Sequence, residues 1–232
     1  MTWNRRGFLM TALALGLPLR GVAAEKTKIG IIGSGKVGSA IGSAWVRAGH
    51  EVMFSSRHLD DDKALAARLG GGARAGTPQE AAAFGEVVMV SVPYRALPDV
   101  AKECGGLLKG KVVIDTCNPF VGRDGEIAAW AREKGAGLAS AELLPGARLV
   151  RAFNAIGAAR MGAAHEEPGR VGMPMAGDDA AAVATASRLI RDVGYEPVLI
   201  GGLAKGKYLM PGTPLAGEHS AEEIRKIAAT LD

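Results

Sequence analysis

Short runs of apolar residues alternate with helical stretches from Lys26 towards the end of the chain. The short runs are apolar on both faces, which is typical of strands in a parallel sheet that helices cover on both sides. The pattern therefore predicts an α/β fold with a doubly wound, mostly parallel sheet. The predicted strands are Lys28–Ile32, Val52–Ser55, Val87–Val92, Val112–Asp115, Leu149–Phe153, Met173–Ala176 and Pro197–Ile200. The predicted helices are Lys36–Ala48, Asp61–Leu69, Pro78–Phe84, Arg95–Cys104, Glu126–Lys134 and Asp179–Val193.

The first 24 residues have the pattern of an export signal. The stretch Arg5-Arg6-Gly7-Phe8-Leu9 precedes a short apolar run, and Val22-Ala23-Ala24 supplies small residues for cleavage. The apolar run is too short to span a bilayer. A twin-arginine motif is recognised by the translocase that exports folded proteins, so we expect a periplasmic protein. An ordinary buried N-terminal helix is the alternative.

The expected organisation therefore has three parts. Residues 1–24 form the signal peptide, residues 25–200 form a nucleotide-binding domain, and residues 201–232 form a C-terminal tail with a short helix near Ala221–Leu231. The tail leaves little room for a second domain, and the pattern leaves the oligomeric state open, with a homodimer as one alternative.

Charge excludes nucleic acid as an expected partner. The chain has 28 Lys and Arg against 24 Asp and Glu. Three of the basic residues, Arg5, Arg6 and Arg20, lie in the predicted signal peptide, so the body of the protein is close to neutral. Such a body lacks the basic surface that binds phosphate backbones. The two cysteines, Cys104 and Cys117, are predicted to lie too far apart for a disulfide bond.

A glycine-rich loop stands where the first strand gives way to the first helix. It reads Gly33-Ser34-Gly35-Lys36-Val37-Gly38 and has the spacing Gly-x-Gly-x-x-Gly. In Rossmann folds the first glycine permits a tight turn, the second lets the backbone approach a pyrophosphate, and the third lets the helix pack closely on the strand. The pyrophosphate then meets the positive end of the helix dipole. We therefore predict a dinucleotide site at this loop.

The residues after the second strand indicate which dinucleotide binds. An NAD site usually has Asp or Glu there, bonded to the ribose 2′-hydroxyl. This chain has Ser55-Ser56-Arg57 instead. The hydroxyls and the guanidinium can hold a 2′-phosphate, which predicts NADP(H), with His58 as a further candidate. The acids Asp60, Asp61 and Asp62 are interpreted as the N-terminal residues of the next helix.

These segments resemble the F420-dependent NADP oxidoreductase family. The resemblance extends to Ser91-Val92-Pro93 after the next strand, to Asn118-Pro119 after the following one, and to Phe153-Asn154. It implies that Ser91, Val92, Pro93, Asn118 and Pro119 flank the nicotinamide half of NADP(H). It also implies that Phe153-Asn154 borders the acceptor, a deazaflavin (F420) or an ordinary flavin.

Other candidate catalytic residues do not form a constellation. His50 is expected to be structural at the amino edge of the sheet, and His165 and His219 lie in loop-like segments. Tyr94 and Cys117 could contact the cofactor, although ordinary packing accounts for both. No metal-ligand spacing is apparent, and no catalytic acid or base can be assigned.

Three functions follow from these observations. The first is an NADPH-dependent oxidoreductase that passes hydride to a small, planar redox acceptor, because such a transfer mainly needs two rings held face to face. The second is a non-catalytic NADP-binding sensor or carrier in the periplasm. The third, a small imine or carbonyl reductase, needs an acid or base that the sequence does not identify.

Overall fold

The computed structural model describes residues 26–162 and 171–231. The predicted signal peptide and His165 lie outside these residues. The strands are β1 (Lys28–Ile32), β2 (Glu51–Ser55), β3 (Ala73–Ala75), β4 (Val87–Val90), β5 (Val112–Asp115), β6 (Arg148–Arg151), β7 (Gly172–Gly177) and β8 (Glu196–Leu199). The helices are α1 (Lys36–Arg47), α2 (Leu59–Leu69), α3 (Pro78–Phe84), α4 (Leu97–Leu108), α5 (Val121–Asp124), α6 (Glu126–Lys134), α7 (Ala136–Leu143), α8 (Ala180–Asp192) and α9 (Ala221–Ala228).

The strands form one sheet in the order β3-β2-β1-β4-β5-β6-β7-β8. The first six strands run parallel, β7 pairs with β6 in the antiparallel sense, and β8 runs parallel to β7. The predicted doubly wound, mostly parallel fold is confirmed. The strand order reverses between β1 and β4, which is the place where open α/β sheets bind ligands, outside the carboxyl ends of the strands.

Alternation along each strand divides the core into two layers. Ile29 and Ile31 of β1 face the layer that contains Trp45 of α1, whereas Ile32 faces the opposite layer with Leu97 of α4. The indole N–H of Trp45 donates to the carbonyl of Leu189 at 2.8 Å, so it ties α1 to α8. The sheet is therefore covered on both sides, as the double-faced apolar pattern of its strands requires.

Several elements differ from the prediction. β3 and α7 are not among the predicted elements, because β3 has only three residues and α7 is made largely of small residues without a clear apolar stripe. β4 ends at Val90 and not at Val92, and β6 ends at Arg151 and not at Phe153. Residues 91–92 and 152–153 therefore lie outside the strands, at the carboxyl edge of the sheet, where the backbone turns away from the strand direction.

His50 is structural, as predicted. It is buried just before β2, where its Nδ1 atom accepts from the backbone N–H of Thr27 at 3.2 Å. Its Nε2 atom lies 3.1 Å from a carboxylate oxygen of Asp192. Burial lowers the pKa of His50 despite this carboxylate, which opposes the shift.

The segment after β8 packs onto the sheet and is not a loose tail. It contains a 3-10 helix at Leu203–Tyr208 and the capped helix α9, where Ser220 and Glu223 form a capping box. Ile224 of α9 is fully buried against β7. The boundary expected at residue 200 therefore separates two parts of one packed unit. No helix within the described ranges is long and apolar enough to cross a membrane.

Candidate functional site

The glycine loop makes the tight turn that its first glycine predicts. Gly33 has a φ of +101°, in the region that favours glycine, and a Cβ there would lie 2.3 Å from the carbonyl oxygen of Ser91. The backbone N–H groups of Gly33 and Ser34 both donate to the carbonyl of Ser55, at 2.9 and 3.0 Å. The loop is thereby held between the ends of β2 and β4.

The missing side chains of Gly35 and Gly38 serve different purposes. A Cβ on Gly38 would lie 2.1 Å from the carbonyl oxygen of Gly33, so this glycine permits the close approach of helix and strand. A Cβ on Gly35 would meet no atom of residues 26–162 and 171–231 within 4 Å. Gly35 is the N-cap residue of α1, where no side chain accepts a hydrogen bond from the first N–H groups of the helix. Lys36, the first residue of the helix, is exposed. The uncapped N–H groups and this open space fit a pyrophosphate.

The turn after β2 supplies fewer phosphate ligands than its sequence suggests. The Ser55 hydroxyl is fully buried and donates to the carbonyl of Ile31 at 2.6 Å, so it is not placed to bind a phosphate. The Ser56 hydroxyl donates to a carboxylate oxygen of Asp62 at 2.8 Å. Arg57 is exposed, and among the described residues nothing forms a hydrogen bond or ion pair with its guanidinium. Arg57 is therefore the side chain of this turn that is available to an anion.

Asp62 has a position that the sequence did not predict. It belongs to the first turn of α2, yet only 2% of it is exposed, because its carboxylate turns back towards the glycine loop. There it accepts from the hydroxyls of Ser34 and Ser56. The three acids do lie in the first turn of α2, as interpreted, but Asp62 is buried, so a carboxylate also stands near the end of β2.

A cleft of about 250 Å³ opens at this point. It lies between the glycine loop and the start of α2, at the carboxyl edge of the sheet. His58 is exposed at the mouth and donates its backbone N–H to the Ser56 hydroxyl at 3.0 Å. The residues that line the cleft are Ser34, Gly35, Ser56, His58, Asp61, Asp62 and Leu65.

The segment expected to flank the nicotinamide lies against the glycine loop. The N–H of Ser91 donates to the carbonyl of Ile32 at 2.8 Å, and a Cβ on Gly33 would lie 2.8 Å from Val92 Cγ1. Ser91, Val92 and Pro93 are each partly exposed. This edge therefore has the partial exposure that contact with a bound cofactor requires.

Asn118 connects the ends of β5 and β6. Its side-chain N–H donates to the carbonyl of Asn154 at 2.8 Å, and its Oδ1 atom accepts from Arg151 at 2.9 Å. Pro119, beside it, is buried. The Oδ1 atom of Asn154 is buried, and none of the described residues forms a hydrogen bond with it. A buried carbonyl oxygen that lacks a partner at this edge fits a ligand that donates a hydrogen bond, as the carboxamide of nicotinamide does.

Phe153 does not lie where the resemblance implied. It is 1% exposed, and its ring packs edge-on against Trp45 and Tyr195, with 6.1 Å between ring centroids in each case. Its φ of +63° is unusual for a residue other than glycine and turns the backbone so that the ring enters the core. Phe153 is therefore a core residue, and Asn154 alone remains at the expected acceptor side.

Arg151 is a residue of the site that sequence reasoning missed. It is fully buried, as is Asp115, and its Nη1 atom lies 2.6 Å from a carboxylate oxygen of Asp115. It also donates to the carbonyls of Gly206 and Leu209 in the C-terminal segment, at 3.2 and 3.3 Å. The paired charges hold Asn118 and the C-terminal segment in place. Charged residues at the ends of two strands were the signal in the sequence.

Tyr94 and Cys117 are both buried, in agreement with ordinary packing. The Tyr94 hydroxyl lies 3.1 Å from that of Ser140, and burial raises the pKa of Tyr94. Burial also raises the pKa of the Cys117 thiol well above its ordinary value, so the thiol stays protonated. Cys104 and Cys117 are both free thiols.

His219 and the acidic residues of the described ranges do not form a metal site. His219 lies near the carbonyl of Ala216, with 3.2 Å between Nε2 and the oxygen. Within residues 26–162 and 171–231, no cluster of His, Cys, Asp and Glu could hold a metal ion.

Comparison with known proteins agrees with this geometry. Residues 28–119 match the family model "NADP oxidoreductase coenzyme F420-dependent". The match covers the glycine loop and ends at Pro119, whereas the resemblance was expected to continue to Asn154. Over 189 residues, 80% of this chain, the sequence is 30% identical to the metalloreductase STEAP3 of Rattus norvegicus. The chain spans 36% of the length of that relative.

Two solved structures are similar over most of the fold. A hypothetical protein from Sinorhizobium meliloti is 26% identical, with a TM-score of 0.67 over 84% of this chain and 95% of that one. A candidate F420-dependent NADP-reductase from Arthrobacter sp. is 21% identical, with a TM-score of 0.65 over 78% of this chain and 87% of that one. The comparisons support a Rossmann domain of the NADP-dependent oxidoreductase type that binds NADP(H).

Proposed function

We propose that this protein is an oxidoreductase that transfers hydride between NADP(H) and a small, planar redox acceptor, F420 or a flavin. The observation that carries the proposal is the shape of the glycine loop. At Gly38 the missing side chain lets helix α1 pack tightly on the loop, whereas at Gly35 the backbone borders open space at the uncapped start of α1. This arrangement suits a dinucleotide whose pyrophosphate lies against the loop.

The side chains of this edge bind and orient the cofactor. Arg57 would pair with the 2′-phosphate, and Ser91, Val92 and Pro93 would lie along the nicotinamide half. Asn154 would accept a hydrogen bond from the carboxamide, and Asn118, held by Arg151, positions Asn154. When bound, the nicotinamide supplies the hydride.

Direct ring-to-ring transfer fits the groups near this edge. Tyr94 and Cys117 are buried and have raised pKa values, so neither is suited to take up or release a proton near neutral pH. A flavin or deazaflavin needs no such group, because its own ring and the solvent carry the proton. The family match supports the same class of acceptor.

The test uses the purified protein with NADPH and one acceptor at a time: F420, FMN, FAD, or a ferric chelate with and without FAD. The ferric arms are included because STEAP3 is a metalloreductase. We expect loss of the nicotinamide absorbance with F420 or a flavin. The Gly35→Val variant serves as the control for transfer at the proposed site. Tight NADPH binding without reduction of any acceptor would refute the proposal and favour a sensor or carrier.

We further propose that residues 1–24 direct export of the folded protein to the periplasm through the twin-arginine translocase. The support is the order of basic, apolar and small residues in that segment. Export in the folded state suits a protein that acquires its nucleotide in the cytoplasm.

A further inference from the structure

The buried carboxylate of Asp62 occupies the place where cofactor preference is decided. It lies under the cleft between the glycine loop and the turn after β2, and it accepts from the hydroxyls of Ser34 and Ser56. In Rossmann folds the ribose that carries the 2′-hydroxyl or the 2′-phosphate binds in this region. Here the carboxylate comes from α2 and not from the end of β2.

The hydrogen bonds of Asp62 change what the two serines can offer. A serine hydroxyl has one proton to donate, and Ser34 and Ser56 both donate theirs to Asp62. A phosphate oxygen accepts hydrogen bonds, so neither hydroxyl serves a 2′-phosphate while these bonds last. The negative charge of Asp62 also repels a phosphate group. A ribose hydroxyl can donate as well as accept, and therefore suits the lone pairs of the serine oxygens and of the carboxylate.

Arg57 favours the 2′-phosphate that Asp62 disfavours. It is exposed at the same turn, and within the described ranges no carboxylate pairs with it. Its positive charge favours the 2′-phosphate of NADPH. Arg57 therefore favours the phosphate and the buried Asp62 disfavours it. Asp61 also lines the cleft, but its side chain is exposed, so solvent screens its charge more strongly.

We infer that Asp62 is a specificity-determining residue that reduces the preference for NADPH, so that the protein also binds NADH. The inference rests on the proposed function, since it requires that a dinucleotide binds at the glycine loop. It assigns the ribose of NADH to the Ser34, Ser56 and Asp62 cluster, and the 2′-phosphate of NADPH to Arg57.

The experiment measures the dissociation constants of NADPH and NADH for the parent protein and for Asp62→Asn, at one salt concentration. We expect the parent to prefer NADPH by less than about tenfold, because Arg57 and Asp62 oppose each other. Asp62→Asn keeps the shape and removes the charge. It should increase the preference for NADPH by roughly tenfold.

Asp60→Asn is the matched control. Asp60 lies in the same turn of α2, but its side chain is 96% exposed and pairs with Lys63 at 3.3 Å, outside the cleft. Its substitution should alter the preference by less than about twofold, because an exposed charge is strongly screened. This control separates the effect of the buried carboxylate from a general change of charge at the helix start.

Each outcome distinguishes the inference from the function on which it rests. If the parent binds neither nucleotide, the proposed function fails. If the parent binds NADPH but binds NADH more than about tenfold less tightly, the inference is wrong even when the variant does not fold. If Asp62→Asn weakens both nucleotides equally, Asp62 only supports the loop, and the inference is again wrong.

Discussion

Replacing Gly35 with valine should abolish dinucleotide binding and leave the fold intact. Gly35 has a φ of −65° and a ψ of −162°, an extended conformation outside the left-handed region that favours glycine. A Cβ there meets no atom of the described residues within 4 Å, so the substitution places its first carbon in open space. It would fill the open space at the start of α1, where the pyrophosphate is expected.

The size of each effect follows from these contacts. Valine is a poorer N-cap residue than glycine, so we expect a loss of stability of about 1 kcal/mol or less. Displacing the pyrophosphate would remove at least two hydrogen bonds to a charged group, each worth roughly 1.5–3 kcal/mol. Binding of NADPH should therefore weaken by at least about 100-fold.

Thermal unfolding and titration with NADPH measure the two effects separately. Gly106→Val is the matched control: it places the same side chain in open space on the exposed face of α4, away from the loop. It should bind NADPH as the parent does. If Gly35→Val bound NADPH within a few-fold of the parent, the glycine loop would not be the phosphate site, and the geometric argument would be refuted.

Three further predictions concern other parts of the chain. Arg57→Ala should weaken NADPH binding by roughly 10- to 150-fold and hardly affect NADH; equal losses for both nucleotides would mean that Arg57 stacks on the adenine. Arg151→Met should reduce the free energy of unfolding by about 3–5 kcal/mol, since it leaves the buried Asp115 without its ion-pair partner, and chemical denaturation measures this. Changing Arg5-Arg6 to Lys-Lys should stop export of the folded protein, and parent protein in the periplasm should lack residues 1–24; full-length parent found in the cytoplasm alone would contradict the signal.

The glycine loop and the first helix could be predicted because their determinants are local. The turn at Gly33 and the close packing at Gly38 depend on residues a few positions apart, and the structure contains both. The strand pattern likewise predicted the sheet, because residues apolar on both faces need helices on both sides.

The side chains of the site could not be predicted as well, because their partners are distant in sequence. Asp62 meets Ser34, which is 28 positions away, and nothing near either residue indicates the contact. Phe153 enters the core because the backbone takes a positive φ after β6. The apolar pattern had predicted that the strand continues to Phe153. Arg151 finds acceptors in the C-terminal segment, 55 and 58 positions later. The positions of functional groups thus depended on tertiary contacts.

The buried guanidinium of Arg151 connects the cofactor edge to the C-terminal segment. One planar cation bonds to Asn118 at the cofactor edge and to the carbonyls of Gly206 and Leu209 in the last segment. A displacement of that segment would withdraw two acceptors from the buried guanidinium, so the hydrogen bonds on its other side would have to rearrange. The position of the C-terminal segment and the geometry of the cofactor edge are therefore linked through this side chain, and a backbone hydrogen bond from Gly217 to the carbonyl of Ala155 joins the same two regions.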